Sequence, residues 1–218
     1  NYSSLIMARL SRKDILQDFR TRSLLEATRK IIATEGFDAV TMDRVAREAG
    51  ITKGGIYLYF RNKDQMILTT LEAIALEMLR EIETQLNPKT HAWERLCQVI
   101  RAQLESMERH KDILRTLLLV RWHMSDRRER KKWRRLLRYR EQHLGRLKAI
   151  LDNGLRKKIF YPLDTTAAAF YINEMTISTA QRRVMGFSQS SLEADTQGLI
   201  RFIALLLRGK KHLHESEE

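Results

Sequence analysis

TMDRVAREAGITKGGIYLYF, residues 41–60, decides how this chain is read. Thr41 can cap a short helix, and Asp43 in its first turn suits the positive end of the helix dipole. Val45, Ala46 and Ala49 then share one face. Gly50 stands where a turn needs positive φ, with Ile51 and Ile56 as core anchors beyond it. A second helix opens near Thr52 and carries Ile56 and Phe60 one turn apart, so Lys53 and Tyr57 share the opposite face. A small residue at a helix crossing, a glycine turn four residues later and two apolar anchors are what two short helices at a steep angle require. The stretch reads as a helix-turn-helix. In such a unit the second helix lies in the DNA major groove with its N-terminal residues at base edges, so Lys53 and Tyr57 should point at DNA. The adjacent Gly54 and Gly55 are unusual in a helix, where each costs about 0.5–1 kcal/mol relative to alanine. Gly54 is read as allowing close approach of the backbone to the duplex.

The flanking sequence predicts helices throughout. Ile15, Phe19, Leu24, Ala27, Ile31 and Ile32 recur at mostly three-to-four spacing and predict a first helix with an inward apolar face, stopped by Gly36. Asn62 with Gln65 forms a capping box that opens a long helix closed by Asn87-Pro88, roughly 35 Å in length. Beyond Pro88 apolar positions continue through 91–109, 111–124 and 126–157. Ser125 caps the last of these, and Trp133, Leu136, Leu137, Leu144, Leu147, Ile150 and Leu151 form its stripe. FYPLD at 160–164 is a break, followed by helices over about 164–185 and 191–208. The fold class is therefore all-α: an N-terminal three-helix helix-turn-helix domain and a C-terminal helical bundle. Residues 1–13 are expected to be a flexible arm, 14–62 the DNA-binding domain, 63–208 an effector-binding and dimerisation domain, and 209–218 a disordered tail.

With 218 residues, 43% of them hydrophobic, the chain can bury a sizeable core. Its longest apolar runs fall far short of the roughly 20 residues that span a bilayer. The N-terminus has no sustained apolar segment with a small-residue cleavage site, and the single cysteine, Cys97, fits a reducing compartment; a cytoplasmic protein without membrane attachment is expected. Net charge is +13, which favours a polyanionic partner, nucleic acid first. The surplus is uneven. Residues 1–62 hold eleven Lys/Arg against seven Asp/Glu, whereas residues 109–158 hold eighteen against five. RRERKKWRRLLRYR at 127–140 reads first as a solvated helix face, with attraction to an acidic ligand or long-range pull on DNA as the alternatives.

Residues 21–67 resemble the DNA-binding domain of the TetR family of bacterial transcriptional regulators. The resemblance is carried by EGFDAVTMDRVAREAGITKGGIYLYFRNKDQM at 35–66: the Gly-Phe after the first helix, the Thr opening the second, the Ala-Gly-Ile turn and the KGGIYLYFRNKD ending. It implies that Thr41 contacts phosphate and that Arg44 reaches bases or backbone. Thr52, Lys53 and Tyr57 would act from the recognition helix, and Tyr59 and Lys63 would hold phosphates. Plainer roles stay open: Lys53 and Arg44 as solvated charges, Thr41 as a cap only, Tyr59 as a packing residue. Gly55 departs from the Ser, Thr or Ala common at its position in the family, so no side-chain contact is available there.

The same resemblance implies C-terminal helices that bind an effector and dimerise. Small residues in TTAAAF and the apolar face of GLIRFIALLLRG suit a homodimer through about 164–185 and 191–208. Two half-sites about 34–36 Å apart, or a multiple, would follow. The partners expected are a double-stranded DNA operator and a small-molecule effector of unknown identity. Trp93, Trp122, Tyr139, Phe170, Tyr171 and Glu174 are candidate pocket lining, although the aromatics equally suit an ordinary core and Glu174 could pair with Arg182 or Arg183. No His/Cys/carboxylate grouping has metal-ligand spacing, so no metal or cofactor is expected. No nucleophile elbow, phosphate-binding glycine loop or nucleophile–base pair points to an enzyme. The function expected is a ligand-released repressor. An activator, or a regulator without a small-molecule effector, is the alternative.

Overall fold

A computed structural model describes residues 12–115 and 134–208, and the chain divides into two compact units between Ala73 and Ile74. Residues 1–11 of the arm expected at 1–13, the side chain of Ile15, residues 116–124 of the predicted 111–124 helix, Ser125, Trp122, Trp133, the basic run up to 133 and the tail at 209–218 lie outside the described residues, whereas Arg12 and Lys13 of that arm are already helical. Those described contain helices and no strand.

The first unit is built from α1 (Arg12–Glu35), α2 (Met42–Glu48), α3 (Lys53–Ile56) and the start of α4 (Lys63–Thr84). Leu24, Ala27, Ile31 and Ile32 of α1 are buried, as are Val45, Ala46, Ile56 and Phe60. Phe19, expected to face inward with them, is exposed beside an exposed Leu16. The reason is length: α2 and α3 have seven and four residues against the 24 of α1, too few to cover its first turns. Gly36 ends α1 with φ 86°. Gly50 closes α2 with φ 66°; its N–H donates to Arg47 O and the Ile51 N–H to Ala46 O, the paired bonds of a Schellman stop. At α4, Asn62 Oδ1 accepts from Gln65 N at 2.8 Å, while Gln65 Oε1 accepts from Arg61 N, one residue earlier than a standard capping box. The helix ends at Thr84, one turn before Asn87-Pro88, whose asparagine instead organises the following turn by accepting from Lys89 N and Thr90 Oγ1. The buried Met66, Ile67 and Leu71 belong to the first unit, so this unit reaches one-half of the way along α4 rather than stopping at residue 62.

The second unit takes the rest of α4 with α5 (Ala92–Arg109), α6 (Arg134–Arg156), α7 (Thr165–Val184) and α8 (Leu192–Arg208). Helix α5 touches α6, α7 and α8, and its buried Leu96, Val99, Ile100, Leu104 and Met107 form the spine of the core. Leu147, Ile150 and Leu151 supply the expected α6 stripe, with Leu136 half-buried. Leu137 is exposed instead, because ten residues of helix rotate it about 80° from Leu147, whereas eleven bring Leu136 back to within about 20°. Between α6 and α7 the chain turns at Lys158, a non-glycine residue at φ 56°. Phe160 then inserts into the core and the Tyr161 N–H donates to Leu207 O at 2.9 Å. Asp164 caps α7 by accepting from Thr166 N and Ala167 N. Arg183 ties three helices: it donates to Asp195 of α8 at 2.8 Å, to Glu108 of α5 at 3.3 Å and to the Ser190 carbonyl. Burial pushes the Asp195 carboxyl up, but the Ser188 hydroxyl and Arg183 outweigh it and hold the group below its usual range.

Candidate nucleic-acid interface

Thr41 and Thr52 cap α2 and α3. Each hydroxyl oxygen accepts a main-chain N–H three residues on, from Arg44 at 3.2 Å and Gly55 at 3.1 Å. Accepting leaves the hydroxyl proton free, so a cap can still donate to a phosphate oxygen. The two roles weighed for Thr41 are therefore compatible.

Ile56 and Phe60 are buried and Lys53, Tyr57 and Leu58 exposed, so the recognition helix presents the expected outer face. Lys53 is tethered: its Nζ donates to Asp43 Oδ2 at 2.6 Å, and that hydrogen bond, with the carboxylate charge, raises the Lys53 pKa. Arg44 is likewise held by Glu35 at 2.5 Å. Exposed pairs of this kind exchange readily for a phosphate or a base acceptor. Asp43 and Glu35 are thus partners of the two cations that the sequence reading left out, since the i to i+10 and i to i+9 pairings exist only after the helices cross.

The two glycines separate in role. A Cβ on Gly55 would stand 3.1 Å from Thr52 Oγ1, a tight contact that a few tenths of an ångström of movement in the capping hydroxyl would relieve. A Cβ on Gly54 would meet nothing within 4 Å, so nothing inside the first unit requires glycine there. Tyr59 is half-buried with its N–H on Ile56 O, and Lys63 opens α4, where main-chain N–H groups and dipole favour an anion. Leu58, which the sequence reading did not single out, is 81% exposed, an apolar residue on the outer side of a motif whose core positions are already filled.

Residues 24–70 match the family model "Bacterial regulatory proteins, tetR family". Residues 24–70 are thus a TetR-family DNA-binding segment. The HTH-type transcriptional regulator HbdR of Aromatoleum sp. is 31% identical over 97 residues, which are 44% of this chain and 42% of the relative. YfiR of Bacillus subtilis is 26% identical over 163 residues, 72% of this chain and 77% of the relative. The match to the first of these therefore spans less than half of that relative's length. Among solved structures, the transcriptional regulator FadR from Bacillus subtilis in complex with stearoyl-CoA superimposes with TM-score 0.71 at 23% identity, over 87% of this chain and 98% of that one. Both curated relatives are HTH-type transcriptional regulators, and the solved structures share the all-helical fold of the chain. Among the described residues no helix is long and apolar enough to cross a membrane.

The pocket candidates do not converge. Trp93 is partly buried against the core with the Arg208 guanidinium 5.3 Å from its ring, and Tyr139 is half-buried. Phe170 and Tyr171 are 42% and 62% exposed, whereas Ile172, Asn173 and Thr176 of the same helix are buried. They pack on each other edge-to-face at 5.5 Å and cannot line an interior cavity. Glu174 pairs with Arg140 at 2.8 Å, not with Arg182 or Arg183. Exposed Arg134, Arg135 and Arg138 agree with a solvated face for the described end of the basic run. Contrary to the expectation from spacing, Glu77, Glu81 and His110 bring three possible ligand atoms within 4.8 Å of one another. Arg109, 2.9 Å from Glu81, already places a cation there.

What the sequence reading missed is a polar chain through the core of the second unit. His143 Nε2 lies 3.0 Å from Gln103 Oε1, Gln103 Nε2 donates to Asn173 Oδ1, and Asn173 Nδ2 donates to Glu174 Oε1. His143 is 5% exposed and its Nδ1 has no hydrogen-bond partner among the described residues. Burial first, and the Arg146 charge second, push its pKa down from 6.5 to about 4. A lowered folded pKa means that this stabilisation is full above pH 6.5 and is lost as pH falls through the window down to about 4. We expect folding stability to drop by about 3 kcal/mol across that window, and His143→Gln to flatten the drop, as read from urea midpoints at pH 7 and pH 4. Equal pH slopes in the two proteins would mean that His143 is not held neutral.

Proposed function

We propose that the chain acts as a homodimer, binds a pseudo-palindromic operator through α2 and α3, represses transcription, and releases DNA when a small organic effector enters the second unit. The observation that carries the DNA-contact assignment is the division of α3: Ile56 and the following Phe60 inward, Lys53 and Tyr57 outward, with Gly54 open beside them. Thr41, Arg44, Thr52, Tyr59 and Lys63 surround that face as positioning contacts, and Leu58 adds an apolar group suited to a thymine methyl. The effector reading is supported by the stearoyl-CoA held by the FadR of similar fold and by the His143–Gln103–Asn173 chain, polar groups in a core that apolar residues would stabilise more simply. Helix α4 is the transmitting element in this reading, because one continuous helix contains Lys63 and also residues of the second unit. A cytoplasmic location follows from the DNA target.

Gly54→Ala and Lys53→Ala test the interface after an operator has been selected from genomic fragments. Alanine at 54 meets no atom and is the better helix former, so the variant should fold at least as stably as the parent while binding DNA roughly tenfold more weakly. Unchanged affinity would remove the close approach of Gly54 to the duplex. Lys53→Ala should lose roughly tenfold on the operator and discriminate less at one base pair. A uniform loss across operator variants would make Lys53 a phosphate contact.

A further inference from the structure

We propose that the cleft formed by Arg95, Arg146, Arg156 and Asn153 over Leu86 and Ile150 is an oxyanion site, taking a phosphate or carboxylate group borne on a small apolar body. The inference rests on neither the DNA nor the effector reading. The cleft encloses 470 Å³, the size of a small organic ligand, and its lining holds three guanidinium groups and one carboxamide with no carboxylate. Pro88 and Ala149 complete its apolar wall.

Two of the arginines have donors to spare. Arg95 gives one terminal nitrogen to Asn153 Oδ1 at a long 3.4 Å, and its Nε is shielded from solvent with no partner among the described residues. Arg146 gives Nη2 to Glu83, while its Nη1 is shielded and without a partner in the same sense. A guanidinium offers five N–H donors in a fixed plane, accepts nothing and keeps its proton at any relevant pH. Donors buried without acceptors are unfavourable, and a small rotation of either group toward the cleft would present two parallel N–H bonds to one oxyanion. Asn153 adds to this. Its oxygen already accepts from Arg95, so its NH2 group is left to donate. Arg156, exposed at the rim, supplies the third positive charge, and the wall of Leu86, Pro88 and Ile150 favours a short hydrocarbon body. The field of Arg146 is felt beyond the cleft, since it also helps to keep the His143 ring neutral.

Calorimetric titration of the full chain with hexyl phosphate, hexanoate and inorganic phosphate tests the site. Saturable binding of at least one probe at one site per chain is expected, with Arg95→Gln weakening it at least tenfold and Arg101→Gln, whose arginine pairs with Glu193 away from the cleft, changing it less than twofold. Hexyl phosphate and hexanoate binding more tightly than inorganic phosphate would assign an organic anion. Equal affinity for inorganic and hexyl phosphate would assign a free oxyanion at the same arginines. Arg156→Gln, at an exposed position, serves as a second variant if Arg95→Gln does not fold. No saturable binding by any probe, or equal weakening by the cleft variants and Arg101→Gln, overturns the proposal and attributes the effect to the general positive charge.

Discussion

Phe202→Asp with Leu206→Asp is expected to leave a folded chain that no longer dimerises and binds its operator at least a hundredfold more weakly. Phe202 and Leu206 lie one turn apart on α8 and are 52% and 57% exposed, with Leu205 between them. Exposed Phe170 and Tyr171 occupy the outer side of α7. A free chain gains little from such residues, and their replacement should move its stability by no more than about 0.5 kcal/mol. Across a two-fold axis the same change counts twice, since an isologous contact brings each patch against its copy and buries carboxylates in pairs. The DNA consequence follows from linkage of the half-sites. Once one recognition helix is bound, the tethered second one sees an effective concentration that raises overall affinity by about 10²–10⁴. Sedimentation velocity combined with a gel-shift titration reads both effects. A variant that remains dimeric at the parent's concentrations would place the interface elsewhere on the chain.

Gly154→Ala should destabilise the second unit by about 3 kcal/mol, although alanine is ordinarily the better helix residue by about 1 kcal/mol. A Cβ at this position would lie within 3.0 Å of Cδ2, Cε2 and Cζ of the Phe160 ring. The ring has nowhere to go: Phe160 is 5% exposed, the left-handed Lys158 fixes the turn before it, and the Tyr161 N–H holds the segment to Leu207 of α8. Removing the ring should reverse the sign. Phe160→Ala alone leaves a cavity and is expected to cost about 3–5 kcal/mol, but Gly154→Ala added to it should be neutral or stabilising. Urea midpoints of the four proteins in the cycle give the coupling. Additive effects would show that the glycine and the ring do not share this space.

The helix-turn-helix was legible because its information is local. Thr41 as cap, Gly50 at positive φ and the Ile56–Phe60 spacing each act within a few residues, and the structure keeps all three. The same local logic predicted the α4 cap, the break at FYPLD and helices close to 164–185 and 191–208. It failed where an inward face depends on the neighbour that covers it. Phe19 has the right spacing but no helix long enough opposite it, and Leu137 differs from Leu136 by a single step of rotation.

Sites made by chain crossing were beyond local reading. Aromatic residues on a helix advertise burial, yet Phe170 and Tyr171 face outward, while the interior polar chain uses Gln103, His143 and Asn173, separated by 40 and 70 residues in their pairings. The partners of Lys53 and Arg44 were hidden for the same reason, as were the guanidinium groups gathered around the 470 Å³ cleft. By itself, then, the sequence determined the family motif, the helical class and the outward face of the recognition helix, because caps, glycine turns and 3.6-residue periodicity act over one or two turns. Only the tertiary structure decided which charges are tethered, why Gly154 must be small and which polar groups meet inside the second unit, because those depend on how separate turns and helices pack against one another.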